Sequence, residues 1–244
     1  MNKLVLAFSL SILIAGAANT KALAQQQPQP AASPQPSPQT AQQPQFDQWT
    51  EEFTGDKLDE TKWEKFTFEG ASGGKLEVKD GEVRIRSSNK TRAGIRSKQT
   101  FSGDKFIAEA HLAKVGDAYP DPGANSSTLG FGAVTILFDG SGRNRIEWIL
   151  TSEGTFEAWV TRDGQGERLD NKKLGTKMKN PVLAVARVGD VFKFIINSAD
   201  GKPEDAQVGL QTTIKNMPKT FTLMLYGYGS SENNWDWARV VVAK

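Results

Sequence analysis

From Phe46 to Lys244 the sequence is a succession of short apolar–polar alternations, and this pattern restricts the fold more than any other feature. Segments such as KLEVK, RIEWILT and TFEAWVTR place apolar residues at every second position, and Gly, Asp or Asn separates most of them. A period of two residues is typical of β-strands with one buried face. No segment keeps a helical period for long, and LDETKWEKF is the best candidate for a short helical turn. The sequence therefore predicts an all-β domain, an antiparallel sandwich or jelly roll.

The residues before Phe46 are of two other kinds. Residues 1–24 begin with MNK, continue through an apolar run and end at Ala22-Leu23-Ala24, the pattern of a secretory signal peptide cleaved after Ala24. The run ends too early to span a membrane. Gln25–Gln45 has no charged residue and is rich in Gln and Pro, which predicts a disordered linker. We therefore expect export to a periplasm or out of the cell, without membrane insertion.

Charge and composition exclude several classes of function. Without Lys3 and Lys21 of the leader, the 30 basic residues fall to 28 and equal the 28 acidic ones. A neutral chain without a basic stripe gives no electrostatic reason to bind nucleic acid. The chain has no Cys and a single histidine, His111, so a zinc site or a Ser-His-Asp triad has little to build on. We expect His111 at the surface, and a monomeric protein.

The segment RIEWILTSEGTFEAWVTR (Arg145–Arg162) predicts a hairpin with two chemically different faces. With the turn at Ser152-Glu153-Gly154, Ile149 pairs with Glu157 and Glu147 pairs with Trp159. One face is then wholly apolar and consists of Ile146, Trp148, Leu150, Phe156, Ala158 and Val160. A slip of one residue would expose all of these side chains, so the register is strongly specified.

The other face of this hairpin places Trp159 between Glu147 and Glu157, with Arg145 beside them. Such a surface suits sugars, because a ring stacks on C–H groups while carboxylates and guanidinium groups bind hydroxyls. The two glutamates lie diagonally, about 7–8 Å apart between backbones. Inverting glycosidases need carboxyls about 6.5–9.5 Å apart and retaining ones about 5–5.5 Å. Sugar binding, catalysis by Glu147 and Glu157, and an ordinary solvated face all remain open at this point.

Two other stretches resemble glycoside hydrolase family 16 domains. WTEEFTGDKLDETKW (Trp49–Trp63) is similar to the opening strands of that family, and WDWARVVV (Trp235–Val242) is similar to its final strand. The matching positions are Trp49, Glu51, Glu52, Phe53, Gly55, Leu58, Asp59, Trp63, Asp236, Trp237, Arg239 and Val240. Between them, GGKLEVKDGEVRIRS and FSGDKFIAEAHLAK resemble two further family strands, although His111 stands where Arg is usual. The resemblance implies a concanavalin A-like jelly roll with a concave ligand face over Phe46–Lys244.

The sequence departs from this family at the catalytic strand. The family's catalytic strand reads Glu-x-Asp-x-x-Glu, and this pattern occurs nowhere in the sequence. Two and five residues after Glu147 stand Ile149 and Ser152, and neither is an acid. We therefore expect a non-catalytic module that binds a polysaccharide or other glycan on its concave face. A divergent glycoside hydrolase and a structural or adhesion sandwich without a small ligand are the alternatives.

Family members often hold a structural calcium ion with an Asp of the last strand and backbone oxygens, and Asp236 matches that Asp. Calcium takes six to eight oxygen ligands, so one carboxylate with carbonyls and water is compatible with a site. The alternative is that Asp236 only forms a hydrogen bond at the start of its strand. No other cofactor is expected.

Two loops and one basic stretch complete the set of candidates. Val115–Gly132 would border the ligand face with Tyr119, Asp117 or Asp121, although mobility is the preferred interpretation for most of it. The stretch Tyr226–Trp235 is interpreted as a loop that offers further sugar-binding rings and amides: Tyr226, Tyr228, Asn233, Asn234 and Trp235. Gly81–Lys98 is locally basic, and for it we favour a solvated face over a site for acidic glycans.

Overall fold

The structure is a computed structural model that describes residues 45–68, 70–88, 91–118, 129–170, 174–175, 180–200 and 202–244. The predicted signal peptide and nearly all of the predicted linker therefore lie outside the described residues. Within the described ranges, no helix is long and apolar enough to cross a membrane.

The described residues form β-strands almost throughout, as the alternating pattern predicts. In chain order the strands are β1 (Phe46–Glu51), β2 (Trp63–Thr67), β3 (Lys75–Lys79), β4 (Glu82–Arg86), β5 (Ala93–Ser97), β6 (Phe101–Ser102), β7 (Lys105–Lys114), β8 (Phe131–Leu137), β9 (Arg145–Thr151), β10 (Thr155–Arg162), β11 (Gln165–Arg168), β12 (Leu174–Gly175), β13 (Val182–Val188), β14 (Val191–Asn197), β15 (Gln207–Thr213), β16 (Thr220–Tyr228) and β17 (Asn233–Ala243). A 3-10 turn at Pro203–Asp205 precedes β15.

The strands make two antiparallel sheets. Sheet A has the order β15-β14-β13-β7-β17-β4-β3, with β1 paired to β17. Sheet B has the order β11-β10-β9-β8-β16-β5-β2, with β12 paired to β10 and β6 to β16. Both sheets also pair strands that are distant in sequence, such as β7 with β17 and β8 with β16, as in jelly rolls, where the chain passes repeatedly between the two sheets. The predicted fold class is confirmed.

The hydrophobic core lies between the sheets and is built by the alternation along each strand. In β9 and β10 the inward residues are the six apolar ones predicted, and Trp148 and Phe156 are fully buried. The register is also as predicted, with Glu147 opposite Trp159 and Ile149 opposite Glu157. The hairpin could be predicted because both its strands and its turn are local in sequence.

Turn chemistry explains two further local features. Asp80 and Gly81 adopt φ angles of 57° and 77°, the left-handed pair that a tight two-residue hairpin between β3 and β4 requires. The proposed helical turn in LDETKWEKF is a single turn only, because the Asp59 carbonyl accepts from the Lys62 and Trp63 amides and β2 begins at Trp63. The Asp59 carboxylate accepts from the Thr61 amide and hydroxyl, which fixes the turn.

Gly94 permits close packing of β5 against β16, and its replacement by alanine is expected to destabilise the protein. A Cβ atom at Gly94 would lie 2.3 Å from the Leu225 carbonyl oxygen and 2.7 Å from the Met224 methyl group. We expect Gly94→Ala to lower the free energy of unfolding by about 1–3 kcal/mol, as overpacking does. The control is Gly73→Ala, whose Cβ would have only the Thr67 hydroxyl at 3.7 Å. Equal midpoints of thermal unfolding for the two variants would contradict this account.

Candidate functional site

The outer face of sheet B carries the polar face of the β9–β10 hairpin. Across four strands, Thr135, Glu147, Trp159 and Arg168 stand opposite one another. Side chains of opposed residues point to the same face of a sheet, so these four form one row. Trp159 lies between Glu147 and Arg168 in this row and is half-buried.

The next row on this face contains Ala133, Ile149 and Glu157. Glu157 is therefore diagonal to Glu147, because its own partner is Ile149 and the partner of Glu147 is Trp159. The register predicted for Glu147 and Glu157 is the register in the structure.

Five residues of these rows line a cleft with a volume of about 520 Å³: Glu147, Trp159, Arg168, Ile149 and Glu157. This volume lies within the range of about 300–1,000 Å³ that is usual for small-ligand sites. Its lining residues are Phe68, Arg92, Leu129, Phe131, Arg145, Glu147, Ile149, Thr151, Glu157, Trp159, Arg168 and Tyr226. The cleft thus brings together the four hairpin residues singled out from the sequence and adds aromatic and cationic residues from other strands.

The partly buried Arg145 and the buried Glu147 form an ion pair in the cleft. Arg145 Nε lies 3.0 Å from Glu147 Oε2, and Arg145 Nη1 donates a 2.7 Å hydrogen bond to the Gly142 carbonyl. The guanidinium also lies 5.0 Å from the centroid of the Phe68 ring. These contacts hold Arg145 in one orientation, so its charge is fixed relative to the cleft before a ligand arrives.

Trp159 is held by Glu157. The indole Nε1 donates a 2.9 Å hydrogen bond to Glu157 Oε2, and Arg168 lies 3.7 Å from the other carboxylate oxygen. A buried or half-buried indole usually needs a partner for its N–H, and here this partner also fixes the ring plane. The arrangement presents a rigid ring face with polar groups at its edge.

Burial changes the protonation chemistry of two groups in the cleft. Burial raises the pKa of the Glu147 carboxyl above its ordinary value, while the Arg145 guanidinium opposes this rise. Burial also raises the pKa of the Tyr226 hydroxyl. The Tyr226 hydroxyl is therefore neutral at physiological pH and can donate a hydrogen bond.

Aromatic side chains form a second hydrophobic cluster on this outer face. Phe68 packs edge-on against Tyr226, and Phe131 stacks on Tyr228 with ring centroids 5.5 Å apart. Tyr228 is buried and is not part of the cleft lining, so it supports Phe131 rather than offering its own ring face. In this respect the structure departs from the prediction that Tyr228 contacts a ligand.

The prediction for Trp235 is wrong. Trp235 is fully buried in the core between the sheets and does not reach the cleft. Simple alternation along WDWARVVV would place Trp235 on the same side as Trp237 and Arg239. The pairing of β17 with β7 shifts between Trp235 and Trp237, and this β-bulge turns Trp235 inward, in phase with Ala238 and Val240.

His111 and Asp236 meet on the outer face of sheet A. His111 Nδ1 lies 2.7 Å from Asp236 Oδ1, and His111 Nε2 lies 3.0 Å from the Asn180 carbonyl oxygen. His111 is buried, so its predicted surface position is wrong; Trp237 stacks on its ring. Asp236 thus has a protein partner. Among the described residues no group of three or more His, Cys, Asp or Glu side chains is arranged to hold a metal ion, and calcium binding by Asp236 stays a prediction.

The predicted loop candidates contribute little to the described cleft. Tyr119 and Asp121 lie outside the described residues. Asp117 accepts a 2.7 Å hydrogen bond from the Ser231 hydroxyl and is not part of the cleft lining.

The sequence did not show which distant segments join the hairpin in the cleft. Phe68, which follows β2, was not among the candidates. Tyr226 on β16 and Arg92 before β5 were candidates of separate stretches, and β2, β5 and β16 are neighbours in sheet B. The alternation Phe66–Phe68 in the segment WEKFTF was a usable signal for a second apolar face. Which strand would lie beside the hairpin could not be predicted from local patterns.

Comparison with known proteins supports the fold and adds no family assignment. The sequence matches no protein-family model and no curated protein. An endo-β-1,3-glucanase from Pyrococcus furiosus aligns with a TM-score of 0.54 at 14% identity, over 80% of this chain and 94% of its own. A non-specific endo-β-1,3(4)-glucanase of family GH16 gives 0.57 at 10% identity, over 82% and 92%. An inactivated β-agarase B, solved with agaro-octaose, gives 0.58 at 13% identity, over 83% and 94%. The chain therefore has the concanavalin A-like fold seen in family 16 domains.

Proposed function

We propose that this protein binds a polysaccharide in the cleft on the outer face of sheet B, without hydrolysing it. The observation that carries the proposal is the rigid Trp159 ring, which lines a cleft of about 520 Å³ beside two glutamates and two arginines of β9–β11. Solved proteins with this fold include a glucanase and an agarase solved with an agaro-oligosaccharide, which supports a glycan as ligand. Export, predicted from residues 1–24, would bring such a protein to extracytoplasmic glycans.

The carboxylates of the cleft are better placed to orient a ligand than to transfer protons. Glu157 is engaged by Trp159 and Arg168, and Glu147 is engaged by Arg145. A general acid and a general base each need an unobstructed approach to the scissile bond. The outward residues that follow Glu147 on β9 are Ile149 and Thr151, so the strand offers no second acid on this face.

One observation favours a divergent hydrolase as the second candidate. Burial raises the pKa of Glu147, as it does for the general acid of many glycosidases. Its diagonal relation to Glu157 is compatible with an inverting reaction. The binding experiment therefore includes an assay for released sugar.

The test is to measure binding of laminarin, agarose and acidic polysaccharides by affinity electrophoresis for the full chain and its Trp159→Ala variant. We expect Trp159→Ala to weaken binding by about tenfold or more, because the ring loses its stacking contact. Trp237→Ala is the matched control, since Trp237 is a half-buried tryptophan on the opposite sheet. Equal binding by both variants would contradict the proposal.

The same samples are assayed for reducing sugar, beside a Glu147→Gln/Glu157→Gln double variant. We expect no release by any of the proteins. Release by the unmodified protein that the double variant abolishes would replace the binding proposal with the hydrolase.

A further inference from the structure

The described lining of the cleft contains one more cationic than anionic side chain. The lining contains three guanidinium groups and two carboxylates. Arg145 is paired with Glu147 and Arg168 with Glu157. Arg92 is exposed, forms no ion pair with any residue of the described ranges, and lies 6.0 Å from the centroid of the Tyr228 ring. The described part of the cleft therefore carries an excess positive charge at Arg92.

A second cavity, of about 270 Å³, is lined in part by Thr91, the residue before Arg92. Thr91 lines the second cavity and the next residue, Arg92, lines the cleft, so the two spaces lie near each other at this point of the chain; Gly229 also lines the second cavity. Its remaining lining residues are Gly73, Gly74, Lys75, Arg86, Ser87 and Ser88. The described lining is therefore cationic and hydroxylic and includes no acid.

Arg86 repeats the situation of Arg92 in this second cavity. It is exposed and forms no ion pair within the described part of the chain, while Lys75 pairs with Glu77 at 3.5 Å in a largely solvated contact. By contrast, Arg84 and Arg96 in the same basic stretch are neutralised by Asp80 and Glu64. Arg86 and Arg92 are both exposed, as the interpretation of Gly81–Lys98 as a solvated face predicts, but unlike Arg84 and Arg96 each of them also lines a cavity.

We propose that the cleft and the second cavity together bind an acidic polysaccharide, with Arg92 and Arg86 contacting anionic groups on different sugar units. This inference rests on the proposed function and specifies its ligand. A planar guanidinium matches the two oxygens of a carboxylate or sulfate with a pair of charge-assisted hydrogen bonds. A neutral glycan would use Trp159 and the carboxylates but would gain little from either arginine.

The test compares alginate and polygalacturonate, which carry carboxylates, and a sulfated galactan with the neutral glycans laminarin and agarose. Binding to the full chain, Arg92→Gln and Arg86→Gln is measured by titration calorimetry at low and moderate salt. We expect at least one acidic polymer to bind tightest, and each substitution to weaken it by about tenfold, as loss of a hydrogen bond to a charged group does. Which acidic polymer binds distinguishes a carboxylate from a sulfate ligand.

The charge-matched control is Arg162→Gln, because Arg162 is an exposed arginine that lines neither cavity. A loss as large in Arg162→Gln as in Arg92→Gln would show general charge attraction and overturn the inference. Tight binding of a neutral glycan, with an affinity that Arg92→Gln and Arg86→Gln do not change, would overturn the inference and leave the proposed function intact. Binding of none of the five polymers would contradict the proposed function and the inference with it.

Discussion

Replacement of Trp148 by alanine is expected to lower the free energy of unfolding by about 3–5 kcal/mol, as removal of a buried tryptophan does. Trp148 is fully buried and stacks on Phe156 with ring centroids 5.5 Å apart. It also contacts the Phe194 ring of sheet A, and its Nε1 donates a 2.9 Å hydrogen bond to the Ile195 carbonyl. The variant therefore leaves a cavity between the sheets and an unsatisfied carbonyl. Urea unfolding followed by circular dichroism measures the loss.

Trp159→Ala is the matched control, since Trp159 lies on the adjacent strand and on the opposite face of the same sheet. We expect it to cost about 1 kcal/mol or less, because it is half-buried and its removal opens no cavity between the sheets. If Trp148→Ala does not fold, Trp148→Phe retains most of the packing, and it should cost less than the alanine variant but more than Trp159→Ala. Equal losses of unfolding free energy in Trp148→Ala and Trp159→Ala would contradict the assignment of Trp148 to the inner face and Trp159 to the outer face of sheet B. The control also shows whether lost glycan binding in Trp159→Ala is separable from lost stability.

The two tryptophans show what the sequence determines locally. In an antiparallel hairpin the turn sets the register and the alternation sets the face, so a segment of eighteen residues contains both pieces of information. Glu147, Glu157, Arg145 and Trp159 could therefore be brought together from the sequence alone. The fold class followed in the same way, from many short alternating segments without a helical period.

The rest of the cleft depends on contacts between distant segments. Arg92 reaches the cleft because β5 lies between β2 and β16 in sheet B, and no local pattern gives that order. Trp235 was misplaced for a different reason. The stretch Tyr226–Trp235 was interpreted as a loop, but β17 already begins at Asn233, and a β-bulge between Trp235 and Trp237 turns Trp235 into the core.

The ion pair Glu109–Arg239 on sheet A is another contact of this long-range kind. Glu109 on β7 stands opposite Arg239 on β17, and Arg239 Nε donates a 2.6 Å hydrogen bond to Glu109 Oε1. Both neighbours of Glu109 on its strand, Ala108 and Ala110, point into the core, so Glu109 lies on the outer face and is nevertheless buried. Burial raises the pKa of the Glu109 carboxyl, and the Arg239 guanidinium opposes the rise.

Arg239→Met is expected to lower the free energy of unfolding by about 3–5 kcal/mol near pH 7, because it leaves a buried carboxylate without its counter-charge. The pKa of Glu109 in the folded variant then rises further above its ordinary value of 4.5. A raised folded-state pKa means that the folded protein binds the proton more tightly than the unfolded chain does. The contribution of Glu109 to the free energy of unfolding therefore falls as the pH rises from the pKa of Glu109 in the unfolded chain to its pKa in the folded protein. The difference in free energy of unfolding between the unmodified protein and Arg239→Met, here called the deficit of the variant, should accordingly shrink as the pH is lowered toward the pKa of Glu109 in the unfolded chain.

Urea unfolding of both proteins near pH 7 and near pH 5 measures this difference, and the double variant Glu109→Gln/Arg239→Met is its control. The double variant contains no buried carboxylate at this position, so it should recover most of the loss near pH 7 and show a deficit that changes little between the two pH values. A deficit in Arg239→Met that is the same at both pH values would mean that the lost packing of the arginine, rather than the uncompensated charge of Glu109, causes the destabilisation.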